Sequence, residues 1–155
     1  MDHHDEFTVP AACAPEQAFA YVADLRHAPE WFPHPLAVHL VTGEDPLRIG
    51  TAYALRGSLP GLRRGLHYEV IEVEPPHRIT WATTAPRALH GCDAFTIEPE
   101  PRGCLVRFTS DFLLHGASEL RWRLGGGALL RRAFLRSARN LAARLPAPAP
   151  ALALA

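Results

Sequence analysis

The chain lacks an excess of either charge. Its 16 basic residues balance its 16 acidic ones across 155 positions. A nucleic-acid binder normally shows a basic excess, so this balance argues against nucleic acid as a partner. Long apolar runs are missing too. None approaches the ~18 residues of a membrane-spanning helix. The opening residues, Met1 to Glu6, are polar and acidic, unlike the cationic and then apolar start of a secretory signal. The expectation is a soluble, cytoplasmic protein. Cysteine is scarce, at Cys13, Cys92 and Cys104, with no C-x-x-C pair. Cys92 and Cys104 fall on two strands of a hairpin that turns near Arg102. That register sets Cys104 near Glu98 and Cys92 near Ser110, too far apart to bridge. Three free thiols are expected.

Several chemical motifs are absent as well. Nine histidines are present, but none shows H-x-x-x-H or H-E-x-x-H spacing on a helix. His3 and His4 fall on what reads as a frayed terminus. Neither a metal nor another cofactor is expected. Gly125 to Gly127 lack the strand–loop–helix setting and the lysine of a phosphate loop. No G-x-S-x-G elbow occurs, and there is no internal repeat.

What is present is an order of elements. Glu6 to Ala11 alternates as a strand, with Phe7 and Val9 on one face. Pro15 suits a first helical turn, and Ala18, Phe19 and Val22 recur at helical spacing. Asp24 caps a second short helix, which Pro33 and Pro35 stop. Six strands follow: Leu36–Thr42, Thr51–Arg56, Leu66–Glu74, Ile79–Thr83, Cys92–Glu98 and Cys104–Leu114. Their short, turn-rich connections imply antiparallel neighbours. From Leu129 the period changes, and Leu130, Phe134, Ala138, Leu141 and Leu145 form one stripe of an amphipathic helix. The three glycines upstream predict a kink or a close approach to other backbone, since each costs about 1 kcal/mol against alanine in a helix. One domain over residues 1–145 and an extended, mobile Pro/Ala tail over 146–155 are expected. This is an α+β arrangement: seven antiparallel strands wrapped around a C-terminal helix, with two short helices between the first two strands.

Particular stretches carry a resemblance. They are Ala14-Pro15-Glu16-Gln17-Ala18-Phe19, Asp24 with Pro29-Glu30-Trp31, and Ile49-Gly50-Thr51. Val70 to Ile79, Gly103 to Phe108 and Asn140-Leu141 complete the set. Their order over residues 6–145 resembles the START-like, or SRPBCC, superfamily, and within it the polyketide cyclase/dehydrase branch. The resemblance implies a helix-grip fold with an internal cavity. It does not select among the superfamily's carriers, receptors and cyclases, because a fold hosts many functions.

The strands supply candidate cavity residues. On the last strand Val106, Phe108, Ser110, Phe112 and Leu114 share an inward parity. Phe108, Ser110 and Phe112 are candidate ligand contacts there, since pockets are mostly apolar with few polar groups. On the strand before it, Asp93 shares parity with Phe95 and Ile97. A carboxyl facing the interior would have its pKa raised by desolvation and could transfer protons. Strand 66–74 leaves two parities open. One turns Tyr68 and Val70 inward, where a phenol could hold a carbonyl or enolate oxygen. The other turns His67 and Glu69 inward as an acid/base pair. Trp81, Tyr53 and Phe134 complete the candidate lining, whereas Trp31 reads as a packing anchor. Ser58 to Leu62 reads as a hairpin tip, either packed or acting as a lid opposite the Gly125–Gly127 bend.

The function expected is binding of a hydrophobic small molecule by a monomer or homodimer. Its enzymatic form is a polyketide-type cyclase or dehydratase of secondary metabolism, using Asp93, Tyr68 or His67. Its rival is a non-catalytic carrier or sensor for a lipid, quinone or pigment. A pocket well below roughly 300 Å³ would instead suit an interaction module filled by its own side chains.

Overall fold

Alternating burial builds the sheet, and it is plainest in the last strand. From Cys104 to Leu114, even-numbered residues are buried and odd-numbered ones are not, the period-2 signature of a strand with one covered face. The computed structural model describes residues 2–57 and 65–145. The expected loop at Ser58–Leu62 and the tail from Pro146 lie outside the described residues.

The strands are β1 (Asp2–Ala11), β2 (Leu36–Thr42), β3 (Ala52–Gly57), β4 (Leu66–Glu74), β5 (Arg78–Ala85), β6 (Leu89–Glu100) and β7 (Gly103–Leu114). They form one antiparallel sheet in the order β1-β7-β6-β5-β4-β3-β2. Helices α1 (Pro15–Val22) and α2 (Ala28–Trp31) lie between β1 and β2. After β7 come α3 (Ala117–Arg121), a distorted turn over Trp122–Gly126, and α4 (Gly127–Arg144). The chain is thus an α+β helix-grip fold, as its element order predicts.

Local chemistry accounts for the boundaries. Pro15 occupies the first turn of α1, and the Ala14 amide donates to Gln17 Oε1 at 3.2 Å. Asp24 accepts from the Arg26 amide at 3.0 Å and starts a single 3₁₀ turn, Leu25–His27, ahead of α2. In β4 the register slips between Val70 and Glu72, so Ile71 is an extra residue. Such a bulge bends its strand and increases twist, which helps the sheet curl. A second slip lies between Leu40 and Thr42 in β2.

Two expectations need correcting. The N-terminus is not frayed: β1 starts at Asp2 and pairs with β7 as far as Leu113. Two of its polar side chains are tied down, with His4 Nδ1 2.6 Å from Asp111 and the Arg131 Nε–H donating to Asp5 at 3.3 Å. The β6–β7 register also differs by one residue. Cys92 faces Asp111 and Cys104 faces Pro99, because the hairpin closes on two residues, Pro101 and Arg102. Cys92 and Cys104 stay well apart, and all three cysteines are free thiols.

Helix α4 lays Ala133, Ser137 and Leu141 into the concave face, with Leu130, Phe134 and Ala138 half-buried beside them. Asn140 Nδ2 donates to the Trp31 carbonyl at 3.0 Å and ties α4 to α2. The kink expected at the glycines is present, and one glycine carries it. Gly125 has φ 120°, a conformation that penalises any Cβ. Gly127 serves another purpose: a Cβ there would lie 2.8 Å from the Trp122 indole.

Candidate functional site

Every strand from β3 to β7 contributes an inward side chain to one cavity between the sheet and α4. Phe108, Ser110, Phe112 and Leu114 come from β7, Asp93 and Phe95 from β6, and Trp81 and Thr83 from β5. Tyr68 and Leu66 come from β4 and Leu55 from β3. Trp31 and Phe32 close one end, and Ser118, Trp122, Leu130 and Phe134 cover the helical side. The cavity measures about 100 Å³. That is below the roughly 300 Å³ of ordinary ligand sites. The cause is aromatic packing: Phe108 lies 5.1 Å from Phe7, 5.1 Å from Phe95 and 5.5 Å from Phe134 between ring centroids. The chain's own rings take up most of the interior.

A carboxyl sits in this apolar setting. Asp93 is buried, and both its oxygens accept hydrogen bonds from side chains of other strands. The Tyr68 hydroxyl donates to Oδ2 at 2.6 Å, and the Ser110 hydroxyl donates to Oδ1 at 2.5 Å. Ser110 is the register partner of Asp93, whereas Tyr68 reaches over from β4 past β5. Burial pushes the Asp93 pKa above its ordinary value, and the hydroxyls of Ser110, Tyr68 and Thr83 only partly oppose it. Burial also pushes the Tyr68 phenol well up, and the neighbouring Asp93 charge adds to the rise. No arginine, lysine or histidine lines the cavity among the described residues, so no cation offsets these shifts.

Two polar groups of the same lining have no partner. Trp81 Nε1–H and Thr83 Oγ1 are buried without a hydrogen bond, although Thr83 lies close enough to Asp93 and Tyr68 to lower both their pKa values. Leaving a buried donor unmade costs about 1–3 kcal/mol. A ligand oxygen could accept from either group. Together with Asp93 and Tyr68, these groups give the cavity donors for one oxygen and a carboxyl able to give or take a proton.

The candidate residues divide as follows. Asp93, Tyr68, Trp81, Phe95, Phe108, Ser110, Phe112 and Phe134 all line the cavity. His67 does not, because β4 turns Leu66, Tyr68 and Val70 inward and leaves His67 and Glu69 exposed on the other face. This geometry removes His67 from the catalytic candidates. Tyr53 is buried but lies outside the lining. Its hydroxyl has no partner, and burial raises its pKa to about 12. Trp31, read from sequence as a packing anchor, lines the cavity, as do Thr83 and Trp122. Thr83 shares the parity of Trp81 and was legible on that signal. Trp122 was not, because its direction depends on the kink at Gly125. Among the described residues, no cluster of three or more His, Cys, Asp or Glu side chains could hold a metal ion.

The helical cover is fastened from outside. His3 Nε2 lies 2.9 Å from Glu119 Oε2, and the Arg123 Nε–H donates to Glu119 Oε1 at 3.0 Å. The His3 ring stacks on Phe112 at 5.4 Å and meets Trp122 at 4.9 Å. This segment runs between two positive-φ glycines, Gly116 at 57° and Gly125 at 120°.

Comparison with known proteins agrees with this architecture. The family model described as "Polyketide cyclase / dehydrase and lipid transport" matches residues 3–146. No curated protein matches the chain. Among solved structures, the Zhui aromatase/cyclase from Streptomyces sp. R1128 is similar at TM-score 0.73 and 17% identity, over 93% of each chain. A protein from Chromobacterium violaceum is similar at TM-score 0.67 and 15% identity, over 92% of this chain and 96% of the other. Norcoclaurine synthase from Thalictrum flavum, solved with dopamine and hydroxybenzaldehyde, is similar at TM-score 0.63 and 11% identity. That match covers 93% of this chain and 85% of the other. At these identities the likeness concerns the fold.

Proposed function

Because this chain belongs to the polyketide cyclase / dehydrase and lipid transport family, we propose that its cavity binds a small, largely apolar molecule carrying a carbonyl or hydroxyl oxygen. We further propose a cyclisation or dehydration assisted by proton transfer at Asp93. The observation that carries this reading is the coincidence of a buried Asp93, its pKa raised by burial, with two unpartnered groups, Trp81 Nε1–H and Thr83 Oγ1, in one apolar lining. The oxygen would be held by Trp81 and Thr83, with the phenol of Tyr68 nearby. Asp93 would exchange the proton, and the aromatic walls would hold a flexible chain in a reactive conformation. Such chemistry belongs with secondary metabolism, in the cytoplasm, by a monomer or homodimer.

The void of about 100 Å³ meets the size set above for a cavity filled by its own side chains, so ligand binding carries a requirement. A ligand larger than a few atoms must displace side chains, and Trp122, next to the Gly125 kink, is the one we expect to move.

A second reading has its own support. Both Asp93 oxygens already have donors from the chain itself, which suits a carrier or sensor that performs no chemistry. One experiment separates the readings. Native mass spectrometry of the purified protein would identify a co-purifying molecule, and turnover of that molecule would be compared in wild type and Asp93→Asn. Turnover in wild type that is lost in Asp93→Asn, with binding kept, supports the enzyme. Binding without turnover supports the carrier. Absence of any bound molecule, together with no binding across a panel of apolar ketones and quinones, would leave the cavity as packing.

A further inference from the structure

The neutral total conceals a separation of charge along the chain. All 16 acidic residues lie at or before Glu119. From Leu120 to Ala155 there are seven arginines and no acidic residue. All seven arginines are exposed, on α3, on the turn after it and on α4. Arg123 and Arg131 have carboxylate partners in Glu119 and Asp5. Among the described residues, Arg121, Arg132, Arg136 and Arg139 form no ion pair with a carboxylate, so their charge is available to a partner.

The same surface exposes large apolar side chains. Leu120, Leu124, Leu129 and Leu135 are 59%, 78%, 52% and 63% exposed. Each is within three residues of an arginine. Leu124 and Leu129 share a shallow open depression with Arg121 and Arg132 at the Gly125 kink. Scattered single leucines need no explanation, but several apolar residues rimmed by charge of one sign mark an interaction face.

We propose that this face, from α3 to the middle of α4, docks on an anionic lipid surface. The leucines would sit at the boundary between headgroups and acyl chains, and the arginines at the level of the phosphates. Three features favour a bilayer over other acidic partners. The charge is of one sign over 36 consecutive residues. The leucines are interleaved with the arginines instead of set apart from them. A nucleic acid would engage the arginines but leave four leucines in water. The inner side of the same segment presents Ser118, Trp122 and Leu130 to the cavity. Docking therefore sets the cover of the cavity against an apolar reservoir. The docking itself is independent of any chemistry at Asp93.

The test is co-sedimentation of the full-length protein with vesicles of phosphatidylcholine alone and of phosphatidylcholine mixed with phosphatidylglycerol. Variants are Leu124→Asp, Arg132→Ala and a control, Arg107→Ala, on the outer face of β7. All three positions are exposed, and circular dichroism checks that the variants fold. Binding to the anionic vesicles alone is expected, weakening as salt is raised. Arg132→Ala should lower the partition constant about fivefold, Leu124→Asp about tenfold or more, and Arg107→Ala not at all. No binding to anionic vesicles overturns the proposal, and so does binding that Leu124→Asp and Arg132→Ala leave unchanged. Self-association abolished by Leu124→Asp, without vesicle binding, would assign the face to a second copy of the chain. Capture of an acidic protein in place of vesicles would assign it to that partner. Either result overturns the lipid assignment.

Discussion

The Tyr68 hydroxyl donates to Asp93 Oδ2 over 2.6 Å, from β4 to β6, past the whole width of β5. Strands two places apart lie about 10 Å from each other, a span that the long phenol side chain, the hydrogen bond and the carboxyl bridge over the concave face. The bulge at Ile71 adds curl that shortens it. The two strands between which the bond reaches are thereby cross-linked inside the cavity. The groups on β5 beneath it, Trp81 and Thr83, remain without partners.

Replacing Tyr68 with Phe removes this donor without enlarging the side chain. One buried oxygen of Asp93 is then unsatisfied, at a cost of about 1–3 kcal/mol. Denaturant unfolding should show a lower midpoint with an unchanged slope. Ser110→Ala should behave alike through Oδ1. A midpoint equal to wild type in both variants would mean that water or another group satisfies the carboxyl.

Stability should depend on pH through Asp93 with a definite sign. Burial raises its folded-state pKa, so the folded chain keeps a proton that the unfolded chain releases near pH 4. This contribution is complete below the unfolded value. It is lost as pH rises through the folded value, because there the native state binds more protons. The carboxylates of Asp24 and Glu72, whose pKa values are lowered, act in the opposite direction. The informative quantity is therefore the difference between wild type and Asp93→Asn. Relative to the variant, wild type should lose stability as pH rises from about 4. A flat difference would show that Asp93 titrates normally.

Phe108→Trp should fill the remaining void. The ring already meets Phe7, Phe95 and Phe134, so a larger side chain costs about 1–3 kcal/mol of overpacking. Ligand affinity should fall at least tenfold while the circular dichroism spectrum stays native. Undiminished affinity would place the ligand elsewhere.

The glycine bend can be dissected residue by residue. Gly125→Ala forces a Cβ onto φ 120°, a strain of about 1–3 kcal/mol. Gly126 has helical φ −57° and carries no such backbone penalty. Hydrogen exchange over residues 116–127 should therefore change strongly in Gly125→Ala and weakly in Gly126→Ala. Equal effects would remove Gly125 as the pivot of the cover.

Much of the fold was legible because periodicity is local. The alternation in β7 announced Phe108, Ser110 and Phe112, and parity carried Asp93 inward along with Phe95. Strand 66–74 was illegible on the same principle, since both of its parities are half apolar. Packing chose Tyr68 over His67: the phenol ring fills apolar space and finds a buried acceptor, whereas the imidazole is left in water. Tyr53, a candidate ligand contact from its sequence position, is buried beside its register partner Tyr68 but does not line the void. The hairpin register was missed by one residue because turn length cannot be read from strand pattern alone.

The order of residues along the chain, by itself, determined the seven strands, the closing helix and the family to which they belong, because each element's period of burial is written within a few neighbouring positions. Only tertiary structure decided that Asp93, Tyr68 and Ser110 share a buried hydrogen-bonded cluster, that Trp81 and Thr83 lack partners, and that the void is small. Those properties depend on how far the sheet curls and how closely distant rings meet, and both arise from contacts between residues far apart in the chain.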